Sequence, residues 1–89
     1  MYLTGEVDLN THHRLAAVLD QAASPGRDLV LDCGKLTFID VAGIRVVLRA
    51  ARMIGDGQLR LTGVHGTVAV IIDLLDLTSI APNLRQDTT

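Results

Sequence analysis

Hydrophobic and polar positions change period several times along this chain, and each change marks an element. Leu29 to Leu31 is a short aliphatic run between polar residues, too short for a helix, so it reads as a buried strand over 28–33. Gly34 and Lys35 interrupt it as a loop. From Gly43 the period becomes helical, with Ile44, Val47, Leu48, Ala51 and Ile54 on one face. Gln58 to Thr62 alternates with period two and reads as a strand. A helix between two strands is a crossover, so 28–33 and 58–62 should run parallel.

The flanks follow the same logic. Tyr2, Leu3 and Val7 suggest a strand over 1–7, which Gly5 interrupts. Asn10 or Thr11 can cap a helix over 11–23, with Leu15, Val18, Leu19 and Ala22 as its apolar stripe and Ser24 to Gly26 as its stop. A third helix is expected over 66–76, with Val68, Ile71, Ile72 and Leu75 facing the core and Val70 and Leu74 on a second apolar edge. Pro82 lacks an N–H, so a strand over 80–84 would be an edge. The tail from Gln86 is expected to fray. The prediction is one α/β domain over residues 1–89, with a mixed sheet packed against helices.

Composition narrows the function classes. Hydrophobic residues make up 48% of the chain but aromatic ones only 2%, so the core is aliphatic. A net charge of −2 argues against general nucleic-acid binding, which needs a basic field. The single cysteine, Cys33, excludes an internal disulfide and fits a reducing compartment. Cys33 reads as an inert buried thiol. No apolar run approaches the ~18 residues of a membrane span, and no signal sequence opens the chain, so a cytoplasmic protein without membrane insertion is expected.

Candidate chemistry is sparse. His12 and His13 are adjacent in a helix and diverge, so they form no chelating pair. Asp73 and Asp76 share a solvated face. The Gly63 to Gly66 loop lacks the third glycine of a dinucleotide fingerprint. No metal spacing, cofactor motif or nucleophile–base pair appears, so neither cofactor nor enzymatic activity is expected.

The distinctive surface is on the second helix. Arg45, Arg49 and Arg52 cluster on one flank, while Val46 and Met53 lie opposite the core face with Ala50 between. This reads either as a solvated arginine face or as a partner-binding face, for which aliphatics beside arginines are suitable material. Asp40, Val41, Ala42 and Gly43 open the helix, whose positive end is a natural seat for an anion.

Three blocks together resemble the STAS domain, the family of bacterial anti-sigma-factor antagonists. They are LTGEVD from Leu3, LVLD from Leu29 with FIDVAGI from Phe38, and LRLTGV from Leu59 with LLDLT from Leu74. The resemblance covers nearly the whole chain, and the middle block is the most specific. It implies a binding module that captures an anti-sigma factor, often itself a serine kinase, and the apolar and basic stripes that the core does not use nominate Asp40, Val41, Ala42, Gly43, Arg45, Val46, Arg49 and Met53 as the contact. STAS scaffolds of transport or signalling assemblies are the alternative it leaves open.

Two departures from the family follow. The family has a further N-terminal strand that hairpins with the first strand seen here. Its absence implies one strand fewer or an edge supplied by a partner, a homodimer included. The family's phosphoacceptor Ser or Thr directly follows the residue matching Asp40. Val41 stands there and Ala42 follows, and neither has a hydroxyl to phosphorylate. Thr37 is the nearest alternative acceptor.

Overall fold

The computed structural model describes residues 1–86. The elements are β1 (Tyr2–Val7), α1 (His12–Ala22), β2 (Leu29–Ile39), α2 (Val41–Ile54), β3 (Leu59–Thr62), α3 (Gly66–Leu75), α4 (Leu77–Ile80) and β4 (Leu84–Gln86). The strands make one sheet in the order β1-β2-β3-β4, and every described pairing is parallel. The α/β class therefore stands. Within it the sheet is parallel rather than mixed, because each strand reaches the next through a helical crossover.

Strands laid down in chain order with right-handed crossovers send their helices to one face of the sheet. Burial follows that rule. Leu59 and Leu84, paired across β3 and β4, are fully buried, as is Leu31 on β2. The adjacent row of Val30, Arg60 and Arg85 is exposed on the other face. Val30 is 42% exposed, so β2 is not buried throughout as its apolar run suggests.

β2 also extends well past the expected loop at Gly34 and Lys35. Its pairing with β1 slips twice, between Tyr2 and Thr4 and between Gly5 and Glu6. Each slip adds a residue to β2, a β-bulge that breaks the period-two pattern without ending the strand. Gly5 sits at φ +71°, where a side chain would be strained.

The remaining differences are local. Val18 is 47% exposed and Leu75 41%, at the margins of their helices' buried stripes. Leu77–Ile80 form the short helix α4, which takes in the first residue of the strand expected over 80–84. The last strand begins at Leu84 and lies at the edge, and Gln86 belongs to it rather than to a frayed tail. The rest of the expected tail, 87–89, lies outside the described residues.

Candidate functional site

The loop between β2 and α2 is fixed from three directions. The Asp40 N–H donates to the Val7 carbonyl at 3.0 Å, tying the loop to the end of β1. The Asp40 carboxylate accepts from the Gly43 N–H at 3.2 Å and so caps α2. That capping oxygen holds one of the free N–H groups that would otherwise attract an anion. Gly43 itself is buried against β1 and β2. A Cβ there would lie 2.6 Å from Ile39 Cγ1 and 2.7 Å from Val7 Cγ1. Expected among the partner-facing residues, Gly43 acts instead by letting the helix start close onto the sheet.

Val41 is the first residue of α2 and is 60% exposed. Its methyl groups stand at the positive end of the helix dipole. Asp40 and Ala42 are half-buried. Thr37 lies on β2, and its hydroxyl donates to the Gly5 carbonyl at 3.0 Å.

Further along α2, Arg45 and Arg49 are exposed one turn apart. Neither forms an ion pair among the described residues. Val46 and Met53 are half-buried rather than exposed, and Val46 packs against the core. Ala50 is 1% exposed, so it belongs to the core face. The reason is α1, which packs beside α2 and widens the buried arc beyond the stripe of large residues.

The turn after β1 supplies residues the sequence did not assign to this site. Asp8 accepts from the Asn10 N–H at 2.9 Å and the Thr11 N–H at 3.0 Å, and its own N–H donates to Thr11 Oγ1 at 2.9 Å. The Asn10 amide, foremost among these donors, holds the Asp8 carboxyl below its ordinary value. This turn leaves Leu9 71% exposed. Leu9 and His12 then line a cleft of about 290 Å³ with Ala42, Arg45, Val46 and Arg49. The cleft has an apolar floor and two arginines on its wall. An Asx turn before a helix start was readable at Asp8, but its approach to α2 depends on tertiary packing.

Cys33 is buried, and burial foremost, with the neighbouring Asp32 charge, pushes its thiol up to about 11. It is therefore no nucleophile at neutral pH. Among the described residues, no three His, Cys, Asp or Glu side chains gather as metal ligands do. Also among them, no helix is long and apolar enough to cross a membrane.

A family model described as "Mlab, STAS domain" matches residues 1–85. No curated protein matches the chain.

Proposed function

This chain belongs to the STAS domain family, and on that premise we propose that it is a protein-binding module acting as an anti-sigma-factor antagonist. STAS domains are generally non-catalytic binding modules. In this reading α2 and its opening loop capture the anti-sigma factor, which releases the sigma factor to transcription. The observation that carries it is the α2 face: exposed Val41 at its start, then a cleft between Leu9 and His12 and two arginines that form no ion pair among the described residues. Exposed apolar groups next to unpaired guanidinium groups suit a partner with apolar and acidic side chains.

Capture by this chain is not switched by phosphate at the usual position. A phosphoryl group on that loop would add up to about two negative charges and repel an acidic partner. Val41 keeps roughly the shape of threonine and stays uncharged, as in the binding-competent state. A scaffold role in a transport or signalling assembly is the second reading, favoured by the same missing hydroxyl, since a constitutive contact needs no acceptor.

Calorimetric titration with a purified anti-sigma factor tests the face. Arg45→Glu with Arg49→Glu should weaken binding at least about tenfold, roughly 1.4 kcal/mol, while the melting temperature holds. Unchanged affinity removes this face. Co-purification from the native host separates the two readings, by recovery of an anti-sigma factor or of a transporter subunit.

A further inference from the structure

A second surface has the opposite charge. On α3, Val70, Asp73 and Leu74 share one outward face at i, i+3 and i+4. Val70 is 57% exposed, Leu74 78%, Leu75 41%, and Ile80 on α4 60%. Val70 and Leu74 thus flank Asp73 with open aliphatic surface, the material of an interaction site. Asp73 is exposed on it and makes no ion pair among the described residues.

The α2 face presents the reverse combination, with Leu9 and Val41 beside Arg45 and Arg49. The two faces belong to different helices of one molecule, α2 packing beside α1 and α3 on β2. Among the described residues no ion pair joins them, which leaves both charges open to another molecule. The structure also offers the open edge of β1, with a groove of about 290 Å³ between it and α1. The positive φ of Gly5 interrupts that edge and blunts it against strand pairing.

We infer that the outward face of α3 is a second interaction surface, and that it takes the α2 face of another copy of this chain. The contact is heterologous: the acidic–apolar patch of one copy meets the basic–apolar patch of the next. Each copy in a row therefore leaves one patch of each kind free at the ends. Because α2 is also the face proposed for partner capture, a copy held this way is not available to a partner.

Sedimentation velocity on the full chain tests this without any partner. At low salt the mean mass should rise above the 9.5 kDa of one chain as concentration goes from micromolar to millimolar. Added salt should reverse the rise. Asp73→Lys and Arg49→Glu should each abolish it. Mixed in equal amounts, these two variants should associate again, since the native patch of each meets the native patch of the other and the two reversed charges also complement one another. Leu74→Ser supplies a charge-neutral variant with the same expected loss, and circular dichroism confirms that each variant is folded. A chain that remains at 9.5 kDa throughout overturns the inference. So does an equal mixture that stays monomeric. Association that survives Asp73→Lys but vanishes with Thr4→Pro puts the second copy on the β1 edge and overturns it as well.

Discussion

Replacing Gly43 by alanine should destabilise the protein, against the usual preference for alanine in a helix. The added methyl would lie 2.6 Å from Ile39 Cγ1 and 2.7 Å from Val7 Cγ1. Both neighbours are β-branched, stiff at χ1 and buried, so neither can swing away into solvent. Overpacking of this kind costs about 1–3 kcal/mol, offset by the roughly 0.5–1 kcal/mol that alanine gains over glycine in a helix. With two stiff side chains in the way the cost lies at the upper end, so the net loss is about 2–2.5 kcal/mol, or roughly 8–20 °C in melting temperature for a domain of this size. Urea and thermal melts of Gly43→Ala, Val7→Ala and the double variant measure it. Removing the Val7 methyls relieves half of the conflict, so the double variant should be more stable than the two single losses added together. A Gly43→Ala protein as stable as wild type, or strict additivity in the cycle, would refute the close approach that positions the Asp40–Val41 loop.

Other expectations concern the cap, the thiol and the arginines. Asp40→Ala should lose about 0.5–2 kcal/mol in urea melts by removing the α2 cap, and Asp40→Asn should retain most of it. Cys33 titrates near 9.0 when unfolded and about 11 when folded. Its contribution is therefore complete below about pH 9 and falls as pH rises toward 11, because the unfolded chain releases the proton first. That loss is on the order of 2–3 kcal/mol, and Cys33→Ala should flatten the stability profile over this window alone. Binding through Arg45 and Arg49 should weaken with ionic strength, and titrations at low and high salt read that slope directly.

Much of the fold can be read from periodicity because one face of each long element meets a single core. The helical period read from Gly43 to Ile54 is α2, Val41–Ile54, and the strand read over 58–62 is β3, Leu59–Thr62. The course of β2 past Gly34 was hidden, since two bulges erase the alternation on which strand reading depends. α4 was hidden because four residues hold too few positions to show a helical period. At the site, the exposed arginines follow from the wheel alone. The burial of Val46 and Ala50 does not, because it depends on where α1 packs. Leu9 and His12 are nearly thirty residues or more from α2, and only the β1–α1 turn brings them to its face. Asp40 as a cap was available from its residue type and its place before the helical period.

The proposed α2 binding face has valine, without a hydroxyl, at its first helical residue, so phosphate should not control it there. The direct test incubates the purified chain with its partner kinase and ATP, maps phosphate by mass spectrometry, and measures affinity before and after, with Val41→Ser alongside. Wild type should remain unmodified and bound, while Val41→Ser gains phosphate and loses affinity. Wild type phosphorylated at Thr37 and released from the partner would contradict the claim.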